Sequence, residues 1–499
     1  MISKIKSATL IGLKALEINI EIDAKRGLPQ ETIVGLPDAV IKESKARIKS
    51  AIKNSGYDYK LLQYTINLAP AALPKEGLCL DLPIAAGLLM CNEHFYLEEN
   101  IFLIGELSLD GSVKPIKGMI SIAEMIKTTN SKKCIIPSEN KFEASLIQGI
   151  SIYPIKHLKD LATIDFKTPY KSTFKFNTNK VTDNLDYEQV KGQQIGKKAM
   201  EVVAAGSHNI LLIGPPGSGK SMLLNRLPNI LPNLTHKECI DILKIQNLSQ
   251  YNQSHIKSIQ RPFRTPHHSI SHVGLAGGGK RPLPGEISLA NNGVLFLDEL
   301  PEFSKQSLEI LRQPLESKEI TITRANQSIT YPANFLLVAA MNPCPCGFAT
   351  DKVVECTCRR SEKEKYIKKL SGPLLDRFDI IIEIPRLKKE DYISNSNSKL
   401  SSKAMLKRIQ GALEFQSKRY STSEKNGTIC LRKFNQLTSI QQEHKEILGH
   451  FIQEGSLTAR SANSVIRVAR TLADLDLCEK INTQHITQAL QFRNKLNNS

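Results

Sequence analysis

The sequence predicts an α/β fold spread over more than one domain, and three observations carry that reading. At 499 residues the chain exceeds what one hydrophobic core supports, since chains split beyond about 250–300 residues. Between 186 and about 385, apolar strand patterns alternate with a glycine-rich turn and helical patterns, the order of a parallel sheet covered by helices. A stretch rich in Lys, Thr, Asn and Ser from Asp165 to about Asn184 precedes this block and reads as a linker, and a polar stretch, Ser394–Lys399, follows it. The organisation expected is a front domain over 1–164, a linker over 165–185, an α/β core over 186–386 and a helical part over 387–499.

Composition narrows the class. Hydrophobic residues at 41% and charged residues at 23% exclude wholesale disorder and a fibrous repeat. No apolar run approaches the roughly 18 residues of a membrane-spanning helix, and Lys14 and Glu17 interrupt any signal-type apolar core, so a cytosolic protein without a membrane partner is expected. Lys and Arg number 67 against 49 Asp and Glu, a net charge of +18, which favours a polyanionic partner through counterion release. The segment 387–499 has 18 Lys/Arg against 10 Asp/Glu, so much of the surplus is C-terminal.

In the front domain, residues 61–69 read as a strand, and Asp81 to Met90 as a buried helix with an acidic first turn. The pair Asp110-Gly111 is a hairpin turn between two short strands. In the core, the apolar run Ile210–Ile213 leads directly into Gly214-Pro215-Pro216-Gly217-Ser218-Gly219-Lys220-Ser221, the spacing of a phosphate-binding loop. Its glycines let backbone N–H groups turn inward around phosphate oxygens, Lys220 reaches the β and γ phosphates, and Ser221 offers its hydroxyl to Mg²⁺. The strand Gly293–Leu297 ends in Asp298 and Glu299, placing one carboxylate for the Mg²⁺ shell and one for a water. A third strand, Phe335 to Ala340, brings Asn342 to the same carboxyl edge of the sheet. Arg377, in Leu374-Leu-Asp-Arg377-Phe-Asp379, suits a neighbouring subunit's γ-phosphate; by spacing alone it suits a surface ion pair with Asp376 or Asp379 equally well.

Four of the ten cysteines crowd into Cys344-x-Cys346 and Cys356-x-Cys358, four thiolates for a closed tetrahedral zinc site or four reduced structural cysteines. The segment Arg264-Thr-Pro-His267-His268-Ser-Ile-Ser-His272 lacks a nearby carboxylate or cysteine to complete a metal site. With Lys280 and Arg281 behind it, it reads as an inserted mobile loop, either a contact for a phosphate backbone or plain surface. Glu319 to Thr330 alternates as a hairpin with Arg324 near its tip, a second candidate for that contact. Tryptophan is absent and aromatics are 6%, which favours backbone contact over base stacking.

In this order, the phosphate loop, Asp298-Glu299, Asn342, Arg377 and Ala459-Arg460-Ser461 resemble an AAA+ ATPase. Gly285-Glu-Ile-Ser-Leu-Ala290, Asn342-Pro-Cys-Pro-Cys-Gly347, Leu370–Arg377, Val190-Lys-Gly-Gln193 and Val468–Asp474 are similar to the magnesium-chelatase-like proteins of the ComM/YifB type, over essentially the whole chain. The resemblance implies Asn342 as sensor 1, Arg377 as arginine finger, Arg460 as sensor 2 in a helical lid, and Val190 to Gln193 around the adenine. It also implies ATP and Mg²⁺ as cofactors, a hexameric ring, and a DNA motor acting in branch migration during recombination of transforming DNA. Ala72–Cys79 and Gly105–Gly118 resemble a Lon-protease-like (S5-type) α+β domain. Cys79 stands at its serine position and Ile120 at its lysine position, with Lys117 nearby, so a structural module rather than a peptidase is expected. A chelatase motor and a protein-remodelling ATPase are the competing readings.

Overall fold

The computed structural model describes residues 2–75, 77, 79–172, 185–249, 259–279, 282–324, 327–387 and 400–493. Lys280, Arg281 and the polar stretch 394–399 lie outside them. The chain forms two compact units, the first made of Met1–Asn177 and His236–Ile259, the second of Thr178–Thr235 and Gln260–Ser499.

The first unit is built on a mixed seven-stranded sheet of order β3-β4-β2-β1-β5-β8-β9. Its strands are β1 (Ile2–Ile11), β2 (Lys14–Lys25), β3 (Gln30–Val34), β4 (Gln63–Ala69), β5 (Ile101–Leu103), β8 (Lys133–Pro137) and β9 (Ser151–Ile155). β1 and β2 pair antiparallel through a two-residue turn, from Ile2 opposite Asp23 to Ile11 opposite Lys14. The expected hairpin about Asp110-Gly111 joins β6 (Glu106–Leu107) to β7 (Val113–Lys114). The buried helix runs Asp81–Cys91 and every residue of it is buried. Asp81 in its first turn takes the Arg47 Nε at 2.8 Å, which supplies the partner a buried carboxylate needs. Helix His236–Ser249 belongs to this unit although it follows the phosphate loop in sequence; it packs on helix Met119–Thr128, with Lys244 and Glu124 paired at 2.6 Å.

The second unit carries five parallel strands in the order β11-β14-β17-β10-β18. They are β10 (Ile210–Ile213), β11 (Phe263–Arg264), β14 (Val294–Leu297), β17 (Leu336–Met341) and β18 (Ile380–Glu383). β10, β14 and β17 are apolar and buried throughout, as strands covered on both faces must be. Helix Gln194–Gly206 and the C-terminal helices Ser402–Tyr420, Gln442–Gln453, Ala459–Leu475 and Thr483–Gln491 close on the same apolar core, where Val203, Leu212, Val465 and Leu472 meet. The helical tail thus shares its core with the sheet.

A buried ionic knot fixes those helices. Asp474 is fully inaccessible and receives Arg470 at 2.9 Å, Arg419 at 3.0 Å and the Asn426 amide at 2.8 Å. Asp474→Ala leaves two largely desolvated guanidinium groups uncompensated and is expected to cost about 3–5 kcal/mol of unfolding free energy. Urea denaturation of the two proteins measures this; a difference below about 1 kcal/mol contradicts the assignment. Among the described residues, no helix is long and apolar enough to cross a membrane.

Candidate nucleotide site

β10 lies between β17 and β18, so the loop that follows it opens at the carboxyl edge where the strand order reverses. Gly214 approaches β18 so closely that a Cβ there would overlap the Ile384 carbonyl. Gly217 and Gly219 hold φ of 73° and 90°, a conformation side chains rarely adopt, and a Cβ at either would meet open space. The loop is therefore shaped by backbone conformation and leaves room beside it. The Lys220 ammonium folds back on the loop, donating to the Gly214 carbonyl at 2.7 Å, the Pro215 carbonyl at 2.9 Å and Asn342 Oδ1 at 3.3 Å. Burial lowers its pKa, and the Asp298 carboxylate opposes that. The Ser221 hydroxyl donates to Asp298 Oδ2 at 3.1 Å, which puts the two expected Mg²⁺ ligands in contact. The Ser218 hydroxyl is buried without a partner inside the loop. An open turn, a buried ammonium, a hydroxyl paired with a carboxylate and an unpaired polar group together fit a Mg²⁺-nucleotide.

Gln193, at φ 51°, donates from Nε2 to the Ser218 carbonyl at 3.1 Å and the Pro385 carbonyl at 2.8 Å, tying its segment to the loop. Val190, in the same segment, is buried. Glu299 stands at φ 53°, a strained position for a side chain, held by its own N–H on Asp298 Oδ1 at 2.9 Å. Its carboxylate meets His268 Nδ1 at 3.2 Å. By sequence His268 belongs to an inserted mobile loop, either a contact for a phosphate backbone or plain surface. Its position four residues after β11, the parallel neighbour of β14, was the available signal, because parallel neighbours end at one edge.

Arg377 and Arg460 converge on Glu316, Arg377 by a close ion pair and Arg460 at 2.9 Å. The expected alternative for Arg377 is not formed: Asp379 is taken by Ser464 at 2.7 Å and His208 at 3.3 Å, and Asp376 faces Arg493 at 3.6 Å. The Arg377 side chain is only 9% exposed, yet its Nε has no partner. Among the described residues, no hydrogen bond joins either arginine to the phosphate loop, Asp298 or Glu299. Glu316 was invisible in sequence, being 61 and 144 residues from its two partners.

Residues 186–392 match the family model described as magnesium chelatase, subunit ChlI; residues 20–140 and 399–493 match the models for subunit ChlI of Mg-chelatase and its C-terminal part. The chain is 40% identical to YifB of Escherichia coli, over 99% of this chain and 97% of that one. It is 37% identical to competence protein ComM of Haemophilus influenzae, over 98% and 96%. The chain belongs to the ComM/YifB family of magnesium-chelatase-like proteins. A shorter likeness, 29% identity over 161 residues, links it to Lon protease 2 of Bacillus subtilis and covers 29% of each chain.

Two further features of this ComM/YifB-family chain answer sequence expectations. At the serine position of the Lon-like segment, the Cys79 thiol is buried against the Ala8 carbonyl at 3.4 Å, and burial pushes its pKa up to about 12. Ile120, at the position the resemblance aligns with the lysine, is buried, and Lys117 is exposed. The four clustered cysteines come together with all sulfurs within 4.8 Å of one another. Cys344 lies 3.3 Å from Cys346 and 3.7 Å from Cys356, and Cys346 lies 3.6 Å from Cys356. A tetrahedral zinc ion bonded at about 2.3 Å sets its sulfurs about 3.8 Å apart, so the donor set fits one ion.

The candidate DNA-facing segments are partly committed elsewhere. Arg264 forms a two-pronged pair with Glu286 at 2.6 and 2.7 Å, so its charge is not free for a phosphate. The stretch expected to be a mobile loop carries a short helix, His272–Ala276, capped by Ser271, and a pair of strands, β12 (Gly277–Gly278) and β13 (Leu283–Pro284). The hairpin forms as β15 (Glu319–Arg324) and β16 (Gln327–Pro332), with Arg324 exposed beside Gly278.

Proposed function

We propose that the protein is a hexameric ATP-dependent DNA motor, a branch migration helicase acting in homologous recombination of transforming DNA. The observation that carries this is the separation of the catalytic parts. At the phosphate loop Lys220 meets Asn342 and Ser221 meets Asp298, while Arg377 and Arg460 are held on Glu316 with none of those partners. A site that lacks its cationic transition-state partner in its own chain is completed by the next copy, and head-to-tail completion makes a ring.

In that ring, Lys220 and the loop N–H groups hold the phosphates, Ser221 and Asp298 hold Mg²⁺, Glu299 orients the attacking water and Asn342 senses the γ-phosphate. Magnesium supplies charge neutralisation across the transferring group. Val190 to Gln193 border the adenine, and a structural zinc sits on Cys344, Cys346, Cys356 and Cys358. The first unit is a Lon-like module without peptidase chemistry, the C-terminal helices act as the lid, and the motor works in the cytoplasm. Support for the DNA step comes from the +18 charge and from the relative named as a competence protein.

Steady-state ATP hydrolysis tests the reading, with forked DNA, with unfolded protein or with neither, and Lys220→Ala as the blank. Forked DNA is expected to raise the rate severalfold, and the stimulation to fall steeply as salt rises. Equal rates in the three conditions contradict a DNA motor and leave a chelatase-type ATPase.

A further inference from the structure

The four-cysteine cluster is built into the nucleotide site. β17 ends at Met341, Asn342 follows with its side chain on Lys220, and Cys344 and Cys346 come two and four residues later. Gly347, at φ 88°, closes that turn against the phosphate loop: a Cβ there would lie 2.6 Å from Pro216 Cδ and 2.8 Å from Cγ. The second cysteine pair leads into helix Arg360–Lys368, whose Tyr366 is buried. The backbone N–H of Cys346 donates to Cys358 Sγ at 3.3 Å, joining the two pairs. Between the pairs, Asp351 is buried and meets Arg386, just beyond β18, at 3.1 Å. The cluster therefore touches the site through Gly347, which packs on Pro216, and its first cysteine lies two residues from Asn342 in the chain.

Thiols alone are poor fasteners for such a turn, because S–H donors are weak and one pair lies ten residues from the other. A single ion on four thiolates makes the same turn rigid, and sulfurs this close leave no room for a multi-iron cluster. We propose that zinc on Cys344, Cys346, Cys356 and Cys358 is a positioning element of the ATPase: it fixes Asn342 and Pro216 against the γ-phosphate, so metal occupancy sets the hydrolysis rate. This rests on the zinc reading given above. Asn342 contacts Lys220 at 3.3 Å, a distance that a loosened turn would not keep. Misplacing a catalytic group by about 1 Å costs about 10²-fold in rate.

The test uses the full chain purified without chelator. Its zinc and iron content is measured first, then zinc is withdrawn with a zinc-selective chelator while Mg²⁺ is kept in excess. Hydrolysis, binding of a fluorescent ATP analogue and circular dichroism are followed, and zinc is then restored. The expected result is one zinc per chain, kcat lower by about 10²-fold in the zinc-free protein, analogue affinity changed much less, and recovery on adding zinc. Absence of zinc overturns both the zinc reading and the positioning role. One zinc per chain with a folded, zinc-free protein that hydrolyses ATP at the original rate overturns the positioning role and leaves the zinc reading intact. If the zinc-free protein unfolds, Gly347→Ala decides. It retains all four cysteines and is expected to keep its zinc while displacing the turn from Pro216; an unchanged kcat at full zinc content overturns the proposal.

Discussion

Glu299→Gln is expected to leave ATP binding near its original affinity and to slow hydrolysis by about 10²–10⁴-fold. Asp298 stays in place for Mg²⁺, Lys220 stays on the loop, and the amide keeps the size of the carboxylate, so binding loses little. On the proposed reading, what is lost is the carboxylate that orients and activates the attacking water. The strained φ of 53° and the N–H bond to Asp298 hold this residue at the strand end, where His268 Nδ1 meets its carboxylate at 3.2 Å. Single-turnover hydrolysis beside equilibrium binding of a fluorescent ATP analogue separates the two effects. A rate within about threefold of the unchanged protein would place the water-activating group elsewhere.

Arg377→Ala is expected to be nearly as severe, at about 10³-fold in turnover, again with nucleotide affinity largely kept. Its guanidinium is almost closed to solvent and its Nε is unpaired, and burial together with the nearby Arg460 lowers its pKa. A cation kept partly desolvated with one donor idle gains much from an incoming phosphate oxygen. Glu316 carries both arginines in the isolated chain and is exposed, so it yields them at modest cost. Loss of hydrolysis with retained binding separates this role from simple loss of the fold, which would remove both.

The phosphate loop, Asp298-Glu299 and Asn342 were legible in sequence because each is a short motif at the end of a continuous apolar strand. Local chemistry fixes them: the loop needs glycines at positive φ, and the strands need buried runs. The four cysteines were legible as a cluster for the same reason, their spacing being local. What escaped was pairing across long sequence separations. Nothing near Glu316 announces that it will hold Arg377 and Arg460, and nothing near Arg264 names Glu286. His268 was read by its loop composition, whereas its role follows from which strands are neighbours. Nothing in the sequence around the helix His236–Ser249 says that it joins the first unit. At Cys79 and Ile120 the sequence shows the residue types, and the structure adds that both are buried.

The reading of a motor stands on a site completed by a neighbouring copy, and mixed assemblies test that directly. Lys220→Ala and Arg377→Ala chains carrying different tags are coexpressed, and assemblies containing both are purified and assayed beside each variant alone. Each variant alone is expected to be almost inactive. In mixed rings, an Arg377→Ala chain keeps an intact phosphate loop and its Lys220→Ala neighbour supplies an intact arginine. Random assembly then gives working sites at roughly a quarter of interfaces, and about that fraction of the original rate. Mixed assemblies no more active than the two variants alone would show that the site is not shared between copies, and the ring motor would fall with it.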